Sequence, residues 1–164
     1  MSKIVVYNSG TGFTKQYADW IAESLGCEAV SIKNVKLNEL KKYDQVIYGG
    51  YIMAGLVSGF NKIKTLSLSN VVVFGCGISA DSENERNKMA EANQIPSERF
   101  FYFEGGFNPE KLNFFKRSLL KMIKKSLESK ENKTEDDLRM LETFNGVNRL
   151  DKESIKKIVD FCNL

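Results

Sequence analysis

Ser9-Gly10-Thr11-Gly12-Phe13-Thr14 follows a short apolar run, Ile4-Val5-Val6-Tyr7, and leads into a helical pattern that begins near Thr14. A strand that ends in small, hydroxylated residues and then opens a helix forms a phosphate cradle. The glycines let backbone N–H groups converge, and the helix N-terminus favours an anion. The hydroxyls of Ser9, Thr11 and Thr14 add further donors. A nucleoside-triphosphate loop would need Gly-Lys-Ser/Thr, which is absent. The third glycine of the dinucleotide fingerprint is also missing, since Lys15 and Gln16 stand in its place. What is left is a cradle without a lysine, suited to a phosphate monoester held by hydrogen bonds alone. An ordinary polar β–α turn uses the same residue types. Here hydroxyls, glycines and flanking periodicity agree, which favours the cradle.

Outward from the loop, apolar residues at Tyr17, Ala18, Ile21, Ala22 and Leu25 recur at helical spacing, and Gly26 closes the helix. Residues 28–32 read as a second strand and 37–42 as a short turn of helix or loop. Gln45-Val46-Ile47-Tyr48-Gly49-Gly50 reads as a third strand, residues 60–66 as a short helix, and 70–76 as a fourth strand. Asp81 or Ser82 caps a helix running to about Gln94, and Pro96 stops it. Residues 100–103 form a fifth strand before Gly105-Gly106. Continuous apolar runs mean burial on both faces, as in a parallel sheet covered by helices. The alternation predicts an α/β fold, a doubly wound five-stranded parallel sheet in order 2-1-3-4-5. One domain spans residues 1–164. A helical insertion occupies about 109–149, with a long helical pattern, a polar stretch and a short helix at 137–144; a final helix follows at 152–161.

In position and residue types, Ser9 to Thr14 resemble the Ser/Thr-x-Thr-Gly-x-Thr phosphate loop of flavodoxins. The resemblance implies a flavodoxin-like fold with FMN as cofactor, its phosphate held by Ser9, Gly10, Thr11, Gly12, Phe13 and Thr14. Ligands of open α/β sheets bind beyond the carboxyl ends of the strands, near the reversal in strand order. The third strand leads into Gly49-Gly50-Tyr51-Ile52-Met53-Ala54-Gly55, resembling the flavodoxin loop against one face of the isoalloxazine. Tyr51 and Met53 are candidate ring contacts, and Ala54-Gly55 offers a peptide that can flip toward the reducible nitrogen. The fourth strand leads into Gly75-Cys76-Gly77-Ile78, resembling the loop along the pyrimidine edge. Plain packing would also accommodate Tyr51 and Met53, and the glycines could simply end a strand. Three small-residue loops in the three expected positions favour the flavin. Two departures stand out. Ile78 occupies a loop where many flavodoxins carry an aromatic residue, which predicts a more open outer ring face. The net charge of +3 also differs from the acidity of typical carriers.

Composition narrows the chemistry. The 164 residues include no histidine, so Ser–His and Cys–His nucleophile pairs and His-ligated metals are excluded. A chain so short of general bases makes sense if a cofactor carries the chemistry, with no catalytic side chain. The three cysteines, Cys27, Cys76 and Cys162, are scattered and suit neither a disulfide framework nor a zinc site. No metal is expected. Apolar runs are too short to span a bilayer, and no leader pattern follows Lys3, so a cytoplasmic location is expected.

Within residues 111–127, Lys111, Lys116, Arg117, Lys121, Lys124 and Lys125 are basic, and no residue is acidic. Leu112, Phe115, Leu119, Leu120, Met122, Ile123 and Leu127 share one helical face. Such a helix can lie on an anionic membrane or an acidic partner. It can equally pack its stripe on the sheet and leave its lysines in solvent. A basic, aromatic insertion after a Gly-Gly fifth strand resembles the quinone-linked protoporphyrinogen oxidase type. That resemblance implies a quinone or porphyrinogen as electron partner. From its charge and amphipathic face, the stretch 111–127 is expected to flank the flavin entrance, with Lys121, Lys124 and Lys125 favouring an acidic substrate or acidic redox partner. Otherwise the partner is a redox protein or a small donor or acceptor. Nucleic acid is not expected, since the lysines interleave with no aromatic platform. A flavodoxin-fold interaction protein without flavin is the alternative class. A response regulator would need aspartates where Tyr7-Asn8 stands, and a low-molecular-weight phosphatase would need a cysteine in the first loop.

Overall fold

The computed structural model describes residues 1–164. Strand β1 (Lys3–Asn8) buries Ile4, Val5 and Val6 completely or nearly so, which only a strand covered on both faces can do. Helix α1 (Phe13–Leu25) starts at Gly12, whose φ of 106° is a left-handed conformation that favours glycine. It ends at Gly26, also left-handed, whose N–H caps the carbonyls of Ala22 and Glu23. Then come β2 (Glu28–Ser31), a 3-10 turn (Leu37–Lys42), β3 (Gln45–Met53), β4 (Leu56–Val57) and α2 (Phe60–Lys64). Next are β5 (Val71–Gly77), α3 (Glu83–Asn93), β6 (Phe100–Glu104) and β7 (Gly106–Phe107). The chain closes with α4 (Phe114–Glu128), α5 (Glu135–Phe144), β8 (Val147–Asn148) and α6 (Lys156–Cys162).

The parallel strands lie in order β2-β1-β3-β5-β6, which is the expected order once hairpin strand β4 takes a number. That hairpin is a departure: β4 adds a sixth, antiparallel strand to the end of β3, pairing Met53 with Leu56. Side chains alternate between two cores because the strand period is two. Ile4, Val6, Val46, Tyr48, Val73 and Tyr102 face Phe60 and Ile63 of α2 and Met89 and Ala90 of α3. Val5, Ile47, Val72, Phe74 and Phe103 face Tyr17, Ala18, Ile21 and Ala22 of α1, with Ile158 and Cys162 of α6. Gly49 is required by close approach, since a Cβ there would enter the Phe74 ring. Ser82 caps α3, its Oγ accepting from Glu85 N–H at 3.2 Å.

Register brings the carboxyl ends of the central strands to one edge. Asn8 pairs with Gly50, Tyr51 with Cys76, and Gly77 with Glu104. The insertion stands beyond this edge. Its second helix begins at Glu135, two residues before the expected start, because Thr134 and Asp137 form a reciprocal capping box. The insertion returns to the sheet through the β7–β8 ladder and through Arg149 N–H, which donates to Gly105 O at 2.9 Å. Asp151 N–H then donates to the Tyr17 hydroxyl, which itself donates to Glu104 O at 2.6 Å.

Helix α4 does not pack its apolar stripe on the sheet. None of its residues is buried, and Phe115 and Met122 are 79% and 64% exposed. It leans instead on α5 and its end, where Lys124 Nζ donates to Asn145 Oδ1 at 2.6 Å. No helix is long and apolar enough to cross a membrane.

Candidate functional site

The loop after β1 is held open by its own residues. Ser9 Oγ accepts from Gly12 N–H at 3.1 Å, fixing the turn, while Gln16 N–H donates to Gly12 O at 3.0 Å and starts the helix. The backbone N–H groups of Thr11, Phe13 and Thr14 donate to no other group of the protein. Phe13 and Thr14 carry orphan donors of the helix N-terminus, Thr11 precedes the N-cap, and all three residues line one concavity.

That concavity continues into a cavity of about 470 Å³, within the range that holds a drug-sized ligand. One wall is Ser9, Gly10, Thr11, Phe13 and Thr14. A second comes from the end of β3, with Tyr51, Ile52 and Met53, and a third from Cys76, Gly77 and Ile78. The Tyr51 ring lies against the loop, 3.8 Å from where a Cβ on Gly10 would stand. Met53 sits at the mouth, 64% exposed. The fourth wall combines Gly106 and Phe107 of β7, which the sequence did not single out, with Leu112, Lys116 and Leu119 of the insertion, which it expects at the entrance. The loop after β5 lacks an aromatic side chain, and the insertion contributes Leu112 and Leu119 to the cavity wall.

Four expected residues stand outside this lining. Gly12 shapes the loop from behind, its N–H spent on Ser9. Gly75 lies within the sheet, where a Cβ would come within 2.5 Å of Ile52 Cδ1. Ala54 and Gly55 form the β3–β4 turn, both with positive φ, and line an adjoining cavity that shares Ile52, Gly77 and Ile78 with the first. Asn93 pins that turn, its side chain donating to Gly55 O and accepting from Val57 N–H, each at 2.9 Å. This bracing binds the carbonyl of Gly55 and leaves that of Ala54 unengaged.

Cys76 is not a nucleophile in waiting. Burial pushes its thiol up to about 12, with a hydrogen bond to the Thr14 hydroxyl pulling weakly the other way. No carboxylate lines the cavity, and Lys116 is the only charged side chain that does. Lys121 and Lys124 line a different, shallower depression beside Arg117 and Phe144. The insertion thus flanks the cavity, as expected, through Leu112, Lys116 and Leu119, while Lys121 and Lys124 stand off its lining.

The site fits the group that the loop implies. A phosphate monoester would meet three free N–H donors and the Thr11 hydroxyl, and a flat ring would meet Tyr51, Met53 and Ile78. A family model described as a flavodoxin domain matches residues 4–135. No curated protein matches the chain in sequence. Among solved structures, it is similar to a flavodoxin from the domain Archaea, 21% identical with a TM-score of 0.46, covering 68% of this chain and 88% of that one. A putative flavoprotein from Bacteroides eggerthii is 19% identical with a TM-score of 0.47, covering 74% and 97%. Oxidised flavodoxin 2 from Bacillus cereus is 19% identical with a TM-score of 0.43, covering 63% and 84%.

Proposed function

The chain belongs to the flavodoxin-domain family, and from that premise we propose that it is an FMN-binding redox protein passing electrons through the flavin. One observation carries the reading. Thr11, Phe13 and Thr14, whose N–H groups have no partner in the protein, line a cavity that runs on to the ends of β3 and β5. FMN bound there would supply reversible uptake and release of electrons. The chain's own contribution is placement. The first loop would hold the phosphate, Tyr51, Met53 and Ile78 would bound the ring, and Phe107, Leu112 and Leu119 would keep water from one side.

The enzyme-like alternative, with electrons passing from a porphyrinogen to a quinone, draws nothing from the comparisons. What favours a partner docking at the insertion is the placement of Leu112, Lys116 and Leu119 on the cavity wall. Beyond them the exposed Phe114, Phe115 and Met122 stand among lysines, a composition that suits an anionic bilayer. Peripheral membrane contact from a cytoplasmic location is our reading of that surface.

The test is optical. Protein purified without added cofactor, or titrated with FMN, should show flavin absorption, bind one FMN per chain and bleach reversibly on reduction. Protein that stays colourless and leaves FMN fluorescence unchanged would instead fit an interaction module built on the same fold.

A further inference from the structure

We propose that Lys111, carried by the insertion, is the missing cation of the phosphate loop, selecting a phosphate monoester and tying ligand binding to the insertion's position. The proposal rests on the reading that this loop holds the FMN phosphate. Sequence alone shows a loop without a lysine. The fold supplies one from 100 residues away: Lys111 Nζ donates to Thr11 O at 3.3 Å. The same nitrogen lies 3.6 Å from the point where a Cβ on Gly12 would stand. The ammonium therefore rests on the turn between the free N–H groups of Thr11 and Phe13, beside Gly12 and just outside the residues that line the cavity.

The charge there is unspent. None of the chain's ion pairs involves Lys111. Lys15, the other lysine beside the loop, is occupied by Asp19 at 2.6 Å and serves α1. An ammonium has three donors, and a single loop carbonyl uses one of them. The backbone on either side is braced. Asn108 Oδ1 accepts from Glu110 N–H at 3.0 Å, and Arg117 Nη2 donates to the carbonyls of Glu110 at 2.9 Å and Leu112 at 3.3 Å. The lysine thus stands on a formed turn, with its neighbour Leu112 in the cavity wall.

Two consequences separate this role from plain solvation of a surface lysine. A dianionic phosphate gains a charge-assisted partner that uncharged riboflavin does not use, so Lys111 contributes to choosing between them. Binding is also reciprocal: if Lys111 strengthens the phosphate's hold, the phosphate equally holds residues 109–112 on the loop.

The experiment compares wild type, Lys111→Gln and Lys111→Arg against FMN, riboflavin and inorganic phosphate. Fluorescence titration follows the flavins, and amide chemical shifts of residues 9–14 and 109–112 follow phosphate. Lys111→Gln should weaken FMN roughly ten- to a hundred-fold, the range for a hydrogen bond to a charged group, and leave riboflavin unchanged. Lys111→Arg should recover most of the loss. FMN binding should fall with added salt more steeply in wild type than in Lys111→Gln. Unchanged FMN affinity in Lys111→Gln, or equal losses for FMN and riboflavin, would overturn the assignment and leave the flavin reading standing. Lys111-dependent phosphate shifts with no flavin binding would uphold the assignment and overturn the flavin reading. Wild type that responds to neither FMN nor phosphate would overturn both.

Discussion

Arg139 of α5 donates from Nη2 to Glu104 Oε2 at 2.6 Å and from Nε to the Ile78 carbonyl at 3.1 Å, joining the insertion to the end of β6 and the loop after β5. Glu104 also accepts from Asp81 N–H at 2.9 Å, so one carboxylate gathers both flanks of that loop. The two side chains are 29% and 30% exposed, so solvent screens the pair only in part. A double-mutant cycle with Glu104→Gln and Arg139→Gln should return a coupling of about 1 kcal/mol. Each single variant should also weaken FMN several-fold, because Ile78 lines the cavity. Additive losses would show that the two groups act separately.

The hydroxyls of the first loop are unequal. Both Thr11 and Thr14 line the cavity, but Thr14 is 2% exposed whereas Thr11 is only partly buried. Replacing both threonines by valine should weaken FMN at least tenfold, since a hydrogen bond to a charged group is worth about 1.5–3 kcal/mol. Thr11→Val alone should produce the larger share. Equal affinities of both variants and wild type, by fluorescence titration, would leave binding to the backbone N–H groups.

Ala54 holds φ at 51°, the left-handed region that a Cβ disfavours by roughly 1–2 kcal/mol. Glycine relieves this but loses roughly 0.5–1 kcal/mol through the freer unfolded chain. Ala54→Gly should therefore stabilise the protein by about 0.5–1 kcal/mol in urea unfolding. A destabilised variant would mean that the turn is not strained.

Asp137 is held at a pKa of about 2 by the side-chain hydrogen bond from Lys130, then by the Thr134 N–H of the capping box. A carboxylate whose folded pKa is depressed contributes stability that is present above its unfolded value, near pH 4, and lost as pH falls toward 2. Urea midpoints should fall across that window, and Asp137→Asn should flatten the part due to α5. An unaltered slope in Asp137→Asn would contradict this assignment.

Much of the molecule is legible in its sequence because the signals are local. Ile4-Val5-Val6 can only be a doubly covered strand, and Gly12 and Gly26 mark the two ends of α1. The wall facing the first loop was harder, because distant partners decide it. The β4 hairpin depends on Asn93, which holds Val57 from 36 residues away. An amphipathic pattern in α4 shows that a face exists but not what covers it, and here α5 covers it only in part. Lys111 reads as one lysine among several until the fold sets it on Thr11.

The central claim is that one ligand spans the ends of β1, β3 and β5. Hydrogen exchange of the full chain with and without FMN tests it at residue resolution. The account predicts protection concentrated at residues 9–14, 51–53 and 76–78, extending to 106–112, with the far edge of the sheet unchanged. Protection confined to α4 and α5, or none at saturating FMN, would contradict it.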